Sequence, residues 1–261
     1  MSELAICEKC GKPTEKIVKW PLFPGYEERV VSVVCDCEAE EMRKRKEEQE
    51  YLEKMEHLAR LRDASMLDKN YKKARFSAYH NTAENKTARR YAGVYVERFK
   101  EMREKSQGLL FYGPVGTGKT YTAACIANEL MDRMTPVVMT SFVTLLQKIQ
   151  NNHGEEERVM AMVKEIDLLI LDDLGAERNT EYALEKVYNI IDARVRAAKP
   201  MILTTNLDVA YMKSASNMQY QRIYDRVLER CMPVQIAGRS LREVEGARRY
   251  QAMQQLLQSA T

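Results

Sequence analysis

From residue 76 onward, the chain alternates between short continuous apolar runs and longer stretches in which apolar residues recur at helical spacing. The continuous runs predict buried strands at 109–112, 137–139, 168–171 and 201–204, with a further short strand at 234–236. The helical spacing predicts helices at 84–104, 119–133, 142–150, 155–165, 181–198, 217–230 and 240–258. Strands that are apolar throughout are typical of a parallel sheet covered by helices on both faces. The pattern therefore predicts an α/β domain with three layers around a parallel sheet.

The first 75 residues follow a different pattern. Residues 1–37 hold four cysteines and a short β-branched run at Val30–Val34, which predicts a strand. Residues 38–62 then carry 15 charged residues among 25 positions and only a thin apolar stripe, which is typical of a solvated helix. We therefore divide the chain into a small module at 1–37, a charged linker helix at 38–75 and the α/β domain at 76–261.

Composition narrows the class of protein. Of the 261 residues, 45% are hydrophobic and 30% are charged, which excludes wholesale disorder. The 41 basic and 38 acidic residues give a net charge of only +3, so any affinity for nucleic acid must reside in a local patch. Met1–Leu4 lack the features of a signal peptide, and no run of 18 apolar residues occurs. We expect a cytoplasmic protein that has no membrane partner.

A glycine-rich segment follows the first strand of the α/β domain and matches the pattern G-x-x-x-x-G-K-[ST]. It consists of Gly113, Pro114, Val115, Gly116, Thr117, Gly118, Lys119 and Thr120. Such a loop wraps the phosphates of a nucleotide with its backbone N–H groups, while the lysine reaches the β and γ phosphates and the hydroxyl binds Mg²⁺. An ordinary glycine-rich turn is the alternative, but the strand before and the helix after the segment favour the phosphate-binding loop. The predicted cofactors are ATP and Mg²⁺.

Two carboxylates end the third predicted strand. Asp172 and Asp173 follow the apolar run 168–171 and are therefore expected at the carboxyl edge of the sheet, beside the phosphate-binding loop. We predict that Asp172 holds Mg²⁺ and that Asp173 orients or activates the attacking water. Capping of the next helix is the alternative role for such a pair.

The cysteines of the N-terminal module form two close pairs. Cys7 and Cys10 are spaced C-x₂-C, and Cys35 and Cys37 are spaced C-x-C. Four thiolates complete a tetrahedral zinc site, which compensates for the core that about 40 residues cannot build. The sequence therefore predicts structural zinc. The partner of this module stays open between protein and single-stranded DNA, because Trp20, Phe23 and Tyr26 are suited either to base stacking or to packing on the module itself.

Three further segments carry a resemblance to a known family. They are Leu203–Asn206 at the end of a strand, Gln221–Val227 with two arginines, and Gly238–Arg242 with the pattern G-x-S-x-R. Together with the phosphate-binding loop and the Asp pair, they resemble the AAA+ ATPases, and in combination the helicase loaders of the DnaC/DnaI type, with the IstB transposition helpers as close relatives. The resemblance covers about residues 70–245.

The resemblance assigns roles to further residues. It implies that Asn206 senses the γ-phosphate, that Arg222 or Arg226 is an arginine finger donated to the ATP of a neighbouring subunit, and that Arg242 is a second sensor. The catalytic set is then Lys119, Asp172, Asp173, Asn206, Arg222 and Arg226.

The expected function is that of an ATP-dependent DNA helicase loader. The resemblance implies binding to a replicative hexameric helicase through the zinc module and the linker helix, and binding to single-stranded DNA. It also implies self-association through AAA+ interfaces and release on hydrolysis. Hydrolysis is expected to be slow and stimulated by assembly or DNA, because Asp173 is one methylene shorter than the glutamate common in the superfamily. An IstB-like transposition helper and a non-hydrolysing ATP-dependent scaffold are the alternatives.

Overall fold

The computed structural model describes residues 4–19, 28–65, 69–151, 154–177 and 180–258. Trp20, Phe23 and Tyr26 lie outside the described residues. The chain forms two compact units, Met1–His57 and Leu58–Thr261.

The first unit is built on a small antiparallel hairpin. Strand β1 (Glu15–Lys19) pairs with β2 (Glu28–Ser32), with Ile17 opposite Val30. Strand β2 overlaps the predicted run at 30–34, whereas β1 was not predicted because its apolar part is only two residues long. Helix α1 (Asp36–Ala64) follows the hairpin and extends two residues beyond each end of the helix predicted over 38–62.

The second unit alternates helices and strands. In chain order these are α2 (Lys69–Lys72), α3 (Lys86–Glu97), α4 (Phe99–Glu104), β3 (Gly108–Tyr112), α5 (Lys119–Asp132), β4 (Val137–Ser141), α6 (Phe142–Asn151), α7 (Glu155–Glu165), β5 (Leu168–Leu174), α8 (Glu181–Arg196), β6 (Met201–Thr205), α9 (Val209–Lys213), α10 (Met218–Arg230), β7 (Cys231–Gln235) and α11 (Leu241–Gln258). The helix predicted over 84–104 is divided at Arg98, whose backbone leaves the helical region. The last strand begins three residues earlier than predicted, at Cys231.

The five strands of this unit form one parallel sheet in the order β4-β5-β6-β3-β7. Alternate residues of a strand face opposite sides of the sheet. Thus Leu110 packs with α8 and α10 residues on one face, whereas Leu109 and Phe111 pack with α3 and α5 residues on the other. The prediction of a three-layer α/β domain is confirmed.

The order of the strands determines where functional groups gather. Strand β3 lies between β6 and β7, and β6 lies between β3 and β5. The segments that follow β3, β5 and β6 therefore meet at the carboxyl edge of the sheet, which is where ligands bind in open parallel sheets. None of the described helices combines the length and the apolar character that crossing a membrane requires.

Candidate functional site

The glycine-rich loop leaves β3 and is held by the segment that precedes α11. At Gly113, where φ is +138°, a Cβ atom would lie 2.3 Å from the carbonyl oxygen of Ile236, and at Gly116, where φ is +80°, it would lie 2.2 Å from the Ser240 hydroxyl. The Leu241 N–H also donates a 2.9 Å hydrogen bond to the carbonyl oxygen of Gly116. Only glycine fits these backbone positions. The G-x-S-x-R segment singled out in the sequence is therefore the part of the chain that packs on the loop.

Lys119 begins helix α5 and turns its ammonium back into the loop. Its Nζ donates to the carbonyl oxygens of Gly113 (2.9 Å) and Pro114 (2.7 Å) and to Oδ1 of Asn206 (2.7 Å). Burial lowers the pKa of Lys119, and the positive charge of Arg242 acts in the same direction, while the carboxylates of Asp173 and Asp172 oppose the shift. The lysine and the predicted sensor Asn206 are thus in direct contact.

The carboxylate of Asp172 lies at the end of β5. Its Oδ1 accepts a 2.6 Å hydrogen bond from the Thr204 hydroxyl. Burial raises the pKa of Asp172, and hydrogen bonds from Thr204 and Thr120 partly offset that rise. A carboxylate and the Thr120 hydroxyl, both hard oxygen ligands, therefore lie together at the loop, which fits a magnesium ion.

Asp173 occupies an unusual backbone conformation. Its φ is +61°, in the left-handed region that non-glycine residues rarely adopt. Its Oδ1 accepts a 3.1 Å hydrogen bond from Nδ2 of Asn206. The amide of Asn206 therefore bridges the ammonium of Lys119 and the carboxylate of Asp173. Strain of this kind is concentrated at functional sites.

A cleft of about 620 Å³ lies over the loop, within the size range of small-molecule sites. The predicted residues that line it are Val115, Gly116, Thr117, Gly118, Lys119, Thr120, Asp173, Asn206 and Arg242. Gly113 and Pro114 contribute their carbonyls to Lys119 beneath the cleft. The structure thus brings together the loop, Asp173, Asn206 and Arg242.

Sequence reasoning missed part of the wall of the cleft. The lining also includes Tyr71, Ala78, Tyr79, His80, Asn85 and Tyr121. The buried Asn85 shapes this wall, because its Nδ2 donates to the carbonyl oxygen of His80 and its Oδ1 accepts from the N–H of Thr82, both at 2.8 Å. Aromatic side chains are suited to the base of a nucleotide. The sequence held no usable signal, since five of these residues precede the loop by dozens of positions and none of the six belongs to a motif, although Tyr121 directly follows the loop.

Neither predicted finger arginine lines this cleft within the described part of the chain. Arg222 is exposed on α10. Arg226, one turn later, lies 3.3 Å from the nearly buried Asp192 carboxylate and 3.1 Å from Glu229. The role of either arginine as a finger therefore stays a prediction.

The four N-terminal cysteines lie together in the first unit. Their sulfur atoms are all within 4.8 Å of one another, with 3.2 Å between Cys35 and Cys37 and 3.5 Å between Cys7 and Cys37. A tetrahedral zinc ion with Zn–S bonds of about 2.3 Å places sulfurs roughly 3.8 Å apart, so the cluster fits zinc.

The local structure favours the thiolate of Cys7 and disfavours that of Cys37. The N–H groups of Cys10 and Lys9 lower the pKa of Cys7 to about 6, with smaller contributions from the sulfurs of Cys35 and Cys37, whereas hydrogen bonds with the sulfurs of Cys35, Cys10 and Cys7 raise the pKa of Cys37. Four sulfurs at this separation cannot all be anionic without a cation between them.

The fold and the cleft define a P-loop nucleotide-binding protein of the AAA+ type. The chain belongs to the family of IstB-like ATP binding proteins, whose pattern matches residues 27–248. The family is defined as ATP-binding.

Relatives of known name agree with this assignment. The chain is 31% identical over 135 residues to the phage-like element PBSX protein XkdC of Bacillus subtilis (strain 168), covering 49% of this chain and 50% of XkdC. It is 27% identical over 140 residues to the replicative helicase loader DnaC of Escherichia coli (strain K12), covering 52% and 55% of the two chains. The chain thus spans about half the length of the curated relatives that it matches.

A solved structure extends the likeness to three dimensions. The crystal structure of DnaI superposes with a TM-score of 0.57 at 25% identity, covering 67% of this chain and 94% of the other. The predicted resemblance to the DnaC/DnaI group is therefore confirmed.

Proposed function

We propose that this protein is an ATP-dependent loader of a replicative DNA helicase. One observation carries the proposal: hydrogen bonds connect Lys119, Asn206 and Asp173 in a single cleft. The chain that holds this cleft is similar to DnaC and DnaI. In this proposal ATP binding drives assembly of several copies on single-stranded DNA, and hydrolysis releases the loader from the helicase.

The residues of the cleft have distinct roles in this proposal. The loop and Lys119 bind the phosphates, and the Thr120 hydroxyl and the Asp172 carboxylate hold Mg²⁺, which neutralises phosphate charge when bound. Asp173 orients the attacking water and accepts its proton, while Asn206 holds both Asp173 and the γ-phosphate in place. Arg242, which also lines the cleft, contributes a second positive charge.

A second copy of the chain supplies an arginine that stabilises the negative charge of the transition state. Arg222 or Arg226 supplies the finger, since arginine carries a permanent charge on a planar group that binds phosphate oxygens. For Arg226 the carboxylates of Asp192 and Glu229 fix the direction of the guanidinium.

The first unit binds zinc through Cys7, Cys10, Cys35 and Cys37 and contacts the helicase. The cysteine loop is tied to the start of α1 by ion pairs between Lys9 and Glu41 and between Lys12 and Asp36. Zinc would fix the loop and the helix as one surface. Single-stranded DNA is assigned to the second unit, and its affinity should fall with salt at a log–log slope of about −0.7 per neutralised phosphate.

Two measurements test the proposal. Lys119→Ala should abolish tight ATP binding in a nucleotide titration, because the loop loses its ammonium. The tagged chain should copurify with the hexameric replicative helicase of its own organism in the presence of ATP, and Lys119→Ala should reduce that yield. Unchanged ATP affinity in the variant would refute the site, and absence of the helicase from the purified complex would refute the loader.

An IstB-like transposition helper is the second candidate, because the family pattern is named for such proteins. It would bind duplex DNA in preference to single strands and would not retain the helicase. A non-hydrolysing scaffold would bind ATP but release no phosphate, with or without single-stranded DNA.

A further inference from the structure

Two adjacent carboxylates reach the same site because the sheet is irregular where β5 ends. Leu171 pairs with Leu203, but the next pair is Leu174 with Thr205. Two residues of β5, Asp172 and Asp173, therefore lie opposite the single residue Thr204 of β6. Consecutive side chains of a regular strand point to opposite faces, whereas a bulge redirects one of them.

The hydroxyl of Thr204 forms hydrogen bonds with both residues of the bulge, Asp172 and Asp173. Its hydroxyl donates a 2.6 Å hydrogen bond to Oδ1 of Asp172 and accepts a 2.9 Å hydrogen bond from the N–H of Asp173. The side chain is 0% exposed, so no water replaces these bonds if they are lost. A hydroxyl has one proton to donate, and here it is directed at the carboxylate.

We infer that Thr204 is a positioning residue for the acid pair of the nucleotide site. Its donation fixes the direction of the Asp172 carboxylate, which is assigned to Mg²⁺, and its acceptance holds the backbone of Asp173 at a φ of +61°. The inference rests on the proposed nucleotide site. It adds a residue that is not part of the lining of the cleft.

The adjacent residue provides a matched control. Thr205 is also 0% exposed and also uses its hydroxyl twice, donating to the carbonyl oxygen of Leu174 at 2.7 Å and accepting from the N–H of Leu207 at 3.1 Å. Among the described residues, its hydroxyl makes no hydrogen bond to either carboxylate. A purely structural role for buried threonines would make the two positions equivalent.

The test compares Thr204→Val, Thr204→Ser and Thr205→Val. Valine keeps the shape and removes the hydroxyl, and serine keeps the hydroxyl. The affinity for a fluorescent ATP analogue is measured in EDTA and across a Mg²⁺ titration, and phosphate release is measured in parallel. Thermal unfolding of each variant reports on stability.

Thr204→Val should bind the analogue in EDTA like wild type but need about 10–100-fold more Mg²⁺ for the metal-dependent gain in affinity, with turnover reduced to a similar extent. Thr204→Ser should restore both within a few-fold, and Thr205→Val should lower the melting temperature without this change in Mg²⁺ dependence. A wild-type Mg²⁺ dependence in Thr204→Val, or the same loss in Thr205→Val, would overturn the inference. Failure of wild type to bind the analogue at all would instead overturn the proposed function.

Discussion

The Nζ atom of Lys119 lies 2.7 Å from Oδ1 of Asn206, so the cation of the phosphate-binding loop and the amide at the end of β6 are hydrogen-bonded. The lysine uses its other two protons on the carbonyls of Gly113 and Pro114. A phosphate oxygen that approaches this ammonium must take the place of one of three acceptors. The Asn206 side chain can rotate away more easily than a loop backbone.

The first prediction concerns Asn206→Ala. Because Asn206 also donates to Asp173 at 3.1 Å, its removal should leave Asp173 without its partner while freeing one proton of Lys119. ATP affinity should stay within a few-fold of wild type, and turnover should fall by about 10²-fold or more, as for a lost hydrogen-bond donor in an active site. Nucleotide titration and steady-state phosphate release measure the two quantities. Weaker ATP binding with unchanged turnover would instead make Asn206 a binding residue only.

The second prediction concerns the cysteine cluster. The purified chain should contain one zinc ion, and Cys7→Ser with Cys10→Ser should lose the metal and unfold the first unit, because a module of this size depends on the metal for its folding. Nucleotide binding should be unchanged, since the cleft lies within the second unit.

Elemental analysis of the protein and amide exchange of residues 4–57 provide the measurements. Cys125→Ser is the control, because this buried thiol lies on α5 and outside the cluster. A variant without zinc that keeps a folded first unit would contradict the prediction.

The third prediction concerns stability. The guanidinium of Arg194 is 0% exposed and donates to the carbonyl oxygens of Val163, Ile166, Asp167 and Pro200 at 2.6–3.1 Å. Burial lowers the pKa of Arg194 to about 10, which leaves it charged at neutral pH. Arg194→Ala leaves these carbonyl oxygens without a hydrogen-bond donor and should lower the free energy of unfolding by roughly 3–5 kcal/mol.

Chemical denaturation of the two variants Arg194→Ala and Arg158→Ala measures the difference. Arg158 is exposed and pairs with Glu155 one turn away at 2.9 Å, so its loss should cost about 1 kcal/mol or less. Equal costs for the two variants would show that the buried hydrogen bonds of Arg194 contribute little.

These residues show what the sequence carries and what it does not. The strands of the second unit were predictable because each is an apolar run, and the loop at 113–120 was predictable because its glycines and lysine have fixed spacing. The burial of Arg194 could not be predicted, since a charged residue in the last turn of a helix is usually solvated. The same holds for Thr204, because its role depends on a register shift between β5 and β6, and for Tyr79 and His80, which only the folded chain brings to the cleft.

The last prediction concerns a site shared between subunits. If Arg222 or Arg226 acts on the ATP of a neighbouring copy, its alanine variant binds ATP normally but cannot complete that neighbour's site. Hydrolysis should then fail without loss of binding. Asp192→Asn should reproduce part of the Arg226→Ala defect if Arg226 is the finger, because Asp192 lies 3.3 Å from its guanidinium and fixes its direction, and it should leave Arg222 unaffected.

Mixing the arginine variant with the Asp173→Asn variant distinguishes an active site shared between two subunits from one formed within a single chain. The Asp173→Asn chain keeps its arginine but cannot position water, so mixed assemblies contain interfaces that join an intact acid from one parent to an intact arginine from the other. Neither parent alone forms such an interface. Since a finger in trans is worth about 10³–10⁵ in rate, even a minority of repaired interfaces should raise phosphate release above both parents. If the two variants demonstrably assemble together and no mixture exceeds either parent, the arginine acts within its own chain or not at all.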